Sequence, residues 1–291
     1  MTPLIDAAFE LMIWQTPADL GLPSDRLAWL DERLGQSDLA DIDLILLPEL
    51  FQTGYNAADI IPHCAEASDG LFFQSMAHLA RQHQVAIAYG YAERADGRIY
   101  NSAQVIDASG ASLANHRKLA IPPGFETALF AKGDQMTRFR FHEIEVGILI
   151  CYDAEFPELM RAMAMPDAGE GPNEGLGEGP SEGVGIGSGA ELVLVPTALS
   201  DQWAVVADRV IPARGFENGI YVAYANHCGA DKGLGFLGRS CIISPTGTDL
   251  ARADGGENGM AIRARISHDA VKAAQSRLPY LEEYQKLSQS E

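Results

Sequence analysis

Cysteine is scarce in this chain of 291 residues: Cys64, Cys151, Cys228 and Cys241 are all it has. None forms a C-x-x-C pair or stands in a Cys/His cluster at metal-ligand spacing, which argues against a structural zinc site. A disulfide framework is not expected in a chain this long and this poor in cysteine. Basic residues are few as well: 21 Lys and Arg stand against 40 Asp and Glu, for a formal charge of -19. Binding to phosphate backbones needs clustered cations, so nucleic acid is not expected as a partner. A long uninterrupted apolar run is also missing. The opening MTPLIDAAFELMIWQ has no basic leader, and Asp6 and Glu10 break its apolar residues, so it reads as neither a signal peptide nor a membrane span. These absences predict a cytoplasmic protein with no membrane partner. Its acidic surface either keeps it dissolved or draws in a cationic ligand.

What the chain does have is 47% hydrophobic residues, enough for a sizeable core. Strand-like and helix-like segments alternate. Strands are predicted at 4–14, 41–50, 85–94, 145–151, 190–198, 219–226 and 239–247, and a hairpin at 99–118 around Asp107-Ala-Ser-Gly110. Helices are predicted at 25–34, with Ser24 as its cap, and at 72–84, 157–165 and 201–217. The alternation predicts an α/β fold with helices covering sheet. Residues 167–189, DAGEGPNEGLGEGPSEGVGIGSG, interrupt it with Gly, Glu, Pro and Ser. Strands of the same style continue on both sides, so this stretch reads as a mobile insertion within a single domain spanning 1–291.

Three side chains stand at or just beyond strand ends: Glu49 in LILLPEL, Lys118 in NHRKLAIPPGFE and Cys151 in GILICYDAEFPE. A thiol nucleophile needs a base, and a buried carboxylate serves near neutral pH. A tetrahedral intermediate needs positive charge and backbone N–H groups, which Lys118 and the N–H of Tyr152 can supply. Each also has a plainer reading: a small buried hydrophobe for Cys151, a turn cap for Glu49, a solvated strand end for Lys118.

LLPELFQTGY (46–55), HRKLAIPPGFE (116–126) and ILICYDAEFPE (148–158) resemble, in order and spacing, the three signature blocks of the nitrilase superfamily, the carbon–nitrogen hydrolases. RGFENGIYVAYAN (214–226) and FLGRSCIISPTG (236–247) resemble its downstream blocks. The resemblance implies a four-layer α-β-β-α sandwich, a homodimer or higher homo-oligomer, and no cofactor or metal. It implies a catalytic Glu49–Lys118–Cys151 set with Glu126 as a second positioning glutamate and the Tyr152 N–H as oxyanion donor. The same resemblance favours the aminoamide amidases, which act on 5-aminopentanamide-like substrates; the alternatives are an N-carbamoyl amine or amino-acid amidohydrolase and a catalytically silent nitrilase-like scaffold. A substrate ammonium needs a carboxylate, for which Glu155 is the candidate, while Asp153 reads better as a helix cap. Tyr55 and Trp203 complete the expected substrate-binding set, although aromatic residues in such places are as often core.

Overall fold

A computed structural model describes residues 7–166 and 189–288. The expected Gly/Glu-rich insertion therefore lies, except for Gly189, outside the described residues.

Short aliphatic strands need cover on both faces, and four layers supply it. The strands run in chain order as β1 (Ala8–Pro17), β2 (Leu44–Leu46), β3 (Ala86–Ala95), β4 (Arg98–Ile106), β5 (Ser112–Arg117), β6 (Thr137–Phe141), β7 (Ile144–Ile148), β8 (Leu192–Pro196), β9 (Tyr221–Ala225), β10 (His227–Asp231), β11 (Leu234–Leu237), β12 (Cys241–Ile243), β13 (Asp249–Arg252) and β14 (Met260–Ser267). One sheet has the order β11-β10-β1-β2-β3-β4-β5, with β14 also on β1; the other is β13-β12-β9-β8-β7-β6. β1 is long enough to pair with β14 along Ala8–Gln15 and with β10 at Thr16 and Pro17.

Side chains alternate faces along a strand, and that period sorts the core into layers. Leu11 and Ile13 of the first sheet meet Leu192 and Leu194 of the second in the central layer. Met12 and Trp14, one residue out of phase, pack outward with the helices Pro23–Gln36 and Leu71–His83. Val193 and Val195 likewise face the helices Pro157–Ala164 and Ile211–Asn218. Fully burying each of these aliphatic side chains contributes about 1.5–3 kcal/mol.

Two predicted details are corrected. Ser24 does not cap the first helix. Leu22 is the capping residue, Pro23 sets the first turn, and the Asp25 carboxylate accepts the Leu22 N–H at 2.9 Å. The predicted helix 201–217 is broken into a 3-10 turn (Asp201–Trp203), a π-helical stretch (Val206–Val210) and the helix proper.

β1, β2 and β3 are mutually parallel, as are β7, β8 and β9, so their carboxyl ends open toward the same region. In open α/β sheets that is where ligands bind. The segment after β2 is clasped against β3 there: the Gly90 N–H donates to the Pro48 carbonyl (3.2 Å), and the Gln52 N–H donates to the Gly90 carbonyl (3.1 Å). A Cβ on Gly90 would lie 2.3 Å from the Leu50 nitrogen and 2.8 Å from the Glu49 Cα, both backbone atoms with little room to yield. Gly90→Ala should therefore destabilise the fold by about 1–3 kcal/mol, seen as a lower urea midpoint. An unchanged midpoint would show that the Pro48–Gln52 segment can move aside.

Candidate active site

The site is assembled from strand ends that three main-chain anchors hold in register. Glu49 follows Pro48, which has no N–H to extend the β2 ladder, and Leu50 turns the chain at φ 49°. The Glu49 main chain is tied on both sides: its N–H donates to the Thr197 carbonyl at 3.4 Å, and its carbonyl accepts from His227 Nε2 at 2.8 Å. Burial, helped by the Arg26 charge, depresses His227 to about 3, so its ring is neutral. Because a carbonyl only accepts, Nε2 carries the proton, and Nδ1 accepts from the Thr16 hydroxyl at 2.9 Å.

The third anchor is Asp153. Its fully buried carboxylate accepts N–H groups from Ile150 (3.0 Å), Leu119 (3.2 Å) and Ala120 (2.7 Å). The first caps the turn that begins at Cys151; the others belong to the chain leaving Lys118. One side chain thus caps its own turn and joins the Lys118 exit to the Cys151 corner. Cys151 opens a 3-10 turn, Cys151–Glu155, with φ 48°. A non-glycine residue in that region costs on the order of 1–2 kcal/mol. The N–H groups of Cys151 and Tyr152 are the first of the turn and have no partner within it.

At the centre stands the Lys118 ammonium, fully buried and held between two buried carboxylates. Nζ donates to Glu49 Oε1 at 2.6 Å and to Glu126 Oε1 and Oε2 at 3.0 and 2.9 Å. Asn101 Nδ2 donates to Glu49 Oε1 (2.7 Å) and Glu126 Oε2 (3.2 Å), and the Tyr55 hydroxyl donates to Glu126 Oε1 (2.6 Å). Glu49 Oε2 is buried and has no hydrogen-bond partner. Burial raises the Glu49 carboxyl to about 7, with the Lys118 charge opposing and the Glu126 charge reinforcing the rise. Burial and then the Glu49 charge push the Cys151 thiol up, against Lys118 and hydrogen bonds from Thr197 and Ala198. A neutral thiol beside a carboxylate that ionises near pH 7 is suited to general-base activation rather than to a resting thiolate.

Of the residues singled out in the sequence, Glu49, Lys118 and Glu126 are in direct contact, and Cys151 is within their electrostatic reach. Tyr55 joins through its hydroxyl, its ring edge-on to Phe125 (5.1 Å) and Phe236 (6.3 Å). Glu155 is partly exposed; loss of solvent raises its carboxyl, opposed by the charges of Lys118 and Arg214. Trp203 is not drawn in. It stands 58% exposed, with no ring contact or hydrogen bond to the cluster among the described residues. Asn101 and His227 escaped the sequence reading. The visible signal for Asn101 was an asparagine, a residue disfavoured in strands, within the strand-like IYNSAQV (99–105). Among the described residues no group of three or more His, Cys, Asp or Glu is placed to hold a metal, and no helix is long and apolar enough to cross a membrane.

Comparison with known proteins bears on this arrangement. The family profile described as carbon-nitrogen hydrolase matches residues 36–275. A "Hydrolase in pqqF 5'region" from Pseudomonas protegens is 40% identical over 219 residues, covering 74% of this chain and 69% of that protein. An (R)-stereoselective amidase from Pseudomonas sp. is 32% identical over 244 residues, covering 84% and 80%. The crystal structure of an amidase from Nesterenkonia sp. superposes with a TM-score of 0.75 at 27% identity, covering 93% of this chain and 94% of that one. Variants of that amidase have been solved in complex with butyramide, and with the acetamide moiety of fluoroacetamide added covalently at its active-site cysteine.

The raised Glu49 carboxyl has a consequence for stability. With a folded value of about 7 against an ordinary 4.5, the folded chain holds this proton where the unfolded chain has lost it. The linked stabilisation is complete below the unfolded value and is lost as pH rises through about 7. Glu49→Gln cannot ionise, so its stability relative to wild type should improve between pH 4 and pH 8, on the order of 1–3 kcal/mol. Urea midpoints at the two pH values read this directly. A difference that does not change with pH would contradict the raised carboxyl.

Proposed function

The chain belongs to the carbon–nitrogen hydrolase family of the nitrilase superfamily, and from that premise we propose that it is a cysteine-dependent amidase that hydrolyses the carboxamide of a small amino-bearing aliphatic amide, of the 5-aminopentanamide kind. The observation that carries the reading is Lys118 enclosed by Glu49 and Glu126, with Glu49 Oε2 left without a partner and the Cys151 thiol within electrostatic reach of Glu49.

In the proposed reaction Glu49 Oε2 takes the thiol proton as Cys151 Sγ attacks the amide carbon. The carbonyl π pair moves onto oxygen, and the anion is met by the Tyr152 N–H and the fixed charge of Lys118. The ammonium's three N–H groups are directed at the two glutamates, so its help is chiefly that charge. The intermediate collapses with C–N cleavage, Glu49 returns the proton to nitrogen, and ammonia leaves a thioester on sulfur. Water then attacks that thioester, giving a proton to Glu49, and collapse frees the carboxylic acid and restores the thiol.

Glu155 supports the amino-bearing part of the substrate. Among the described residues no hydrogen bond or ion pair reaches its carboxylate. The nearby Arg214 is committed to the Ala154 carbonyl (3.1 Å), the Glu155 carbonyl (2.7 Å) and Glu217 (2.9 Å). A partly desolvated carboxylate with no ion-pair partner among the described residues suits a substrate ammonium, a charge-assisted hydrogen bond contributing about 1.5–3 kcal/mol.

Ammonia release from 5-aminopentanamide, 4-aminobutanamide, butyramide and N-carbamoylputrescine tests both halves of the proposal. Wild type should favour the ω-amino amides. Cys151→Ala should be inert with an unshifted melting temperature, a Cys-to-Ala change being small in volume. Glu155→Gln should raise KM for the amino amides about 10–100-fold, the equivalent of that hydrogen bond, and leave butyramide unaffected. Turnover by Cys151→Ala would remove the nucleophile from the account. Preference for butyramide, or equal loss on both amides in Glu155→Gln, would remove the ammonium site. Preference for the carbamoyl compound, with carbon dioxide released, would reassign the pocket to N-carbamoyl amines.

A further inference from the structure

We propose that Asn101 is a positioning residue of the amidase reaction, whose carboxamide bridges the two site carboxylates and turns Glu49 so that Oε2 is its proton-accepting oxygen. The inference rests on the reading of Glu49 as the base. Asn101 is fully buried in β4, paired across the ladder with Ala92. It touches the site in three places. Its carbonyl accepts the Lys118 main-chain N–H at 2.8 Å, and Nδ2 donates to Glu49 Oε1 at 2.7 Å and to Glu126 Oε2 at 3.2 Å. The next residue, Ser102, points to the opposite face of the sheet and serves a separate pair: it donates to Glu93 at 2.7 Å, beside Arg117, which donates to the same Glu93 oxygen at 3.0 Å.

The orientation of the amide follows from its surroundings. Both carboxylates accept hydrogen bonds, so the NH2 end must face them. That leaves Oδ1 buried and without a partner. An unsatisfied buried carbonyl oxygen is unfavourable, a cost that the two donor contacts of Nδ2 offset. What the carboxamide adds is a pair of donors. With Lys118 and Tyr55 they occupy Glu49 Oε1 and both oxygens of Glu126, leaving Glu49 Oε2 as the carboxylate oxygen without a donor. Lys118 and Asn101 both donate to Oε1 of Glu49, so two donors rather than one fix which oxygen is left free.

The groups facing Glu49 are Lys118 at the end of β5, Glu126 from the helix Phe125–Leu129, Tyr55 from the segment after Glu49, Cys151 from the corner after β7 and the neutral His227 ring of β10 at its carbonyl. Removing the Asn101 donor leaves these in place and takes away one stabiliser of the ionised carboxylate, so the base should need a higher pH to lose its proton.

The test is kcat/KM against pH for Asn101→Leu, close in shape but without N–H, and for Asn101→Ser, which keeps one donor. Both are assayed as full-length chain on the preferred amide, with Glu49→Gln alongside. In Asn101→Leu the acid limb should move up by about 0.5–1 pH unit. Activity should fall about 3–10-fold at pH 6 and recover in part at pH 9, with KM little changed; Asn101→Ser should lie between. An acid limb at the wild-type position overturns the inference, whether activity is intact or uniformly lowered. If Asn101→Leu fails to fold, Asn101→Ser decides by the same criterion. Turnover by Glu49→Gln would overturn the base assignment and this inference together. An inert Glu49→Gln with an unmoved limb in the Asn101 variants would overturn this inference alone.

Discussion

One ammonium between two carboxylates, all three out of water, is the arrangement on which the rest of the site depends. Removing charges from water costs several kcal/mol each, and it is offset only when every charge finds a close partner. Lys118 satisfies Glu126 with two contacts and Glu49 with one, so the balance is uneven. Burial raises the Glu49 carboxyl to about 7, against the Lys118 charge and with the Glu126 charge adding to the rise, so its proton is exchangeable near neutral pH. The same burial that makes Glu49 a usable base makes the folded chain less stable than an uncharged cluster would be.

Such a cluster is useful only if its main chain cannot relax around it. The surrounding anchors are therefore backbone anchors: His227 on the Glu49 carbonyl, Asp153 on the exits of both Lys118 and Cys151, and Gly90 against the Glu49–Leu50 peptide. Left-handed backbone at Leu50 and Cys151 falls where each strand must stop and deliver a side chain. Local strain at those two points is held by pairing in the two sheets and by the buried layer between them.

Much of the layering was legible in the sequence because it follows from period. Two-residue alternation in the aliphatic runs and helical spacing in DRLAWLDERL place apolar atoms on definite faces before any contact is known. Where the reading failed, a local competitor won. Pro23 and Asp25 displaced Ser24 as the helix start, and Pro48 shortened the strand predicted at 41–50 to Leu44–Leu46. The site was legible only as separate strand ends. That Glu49 and Glu126 share the Asn101 amide depends on contacts 52 and 25 residues apart, which no local period encodes. Asp153 was read as the cap of the next helix; it caps its own 3-10 turn instead, and its other role, holding the Lys118 exit, is a tertiary contact with no trace in spacing. Trp203 shows the converse: an aromatic close in sequence to a site strand end remains exposed.

The central claim is that the Cys151 sulfur carries the acyl group between amide and acid. Rapid acid quench during turnover of the preferred amide, followed by proteolysis and mass spectrometry, addresses it directly. The account predicts that the peptide containing Cys151 gains the mass of the substrate acyl group in place of the thiol hydrogen, and that the adduct disappears when substrate is exhausted. Steady ammonia release with that peptide unmodified throughout, or the acyl mass on a peptide lacking Cys151, would contradict it.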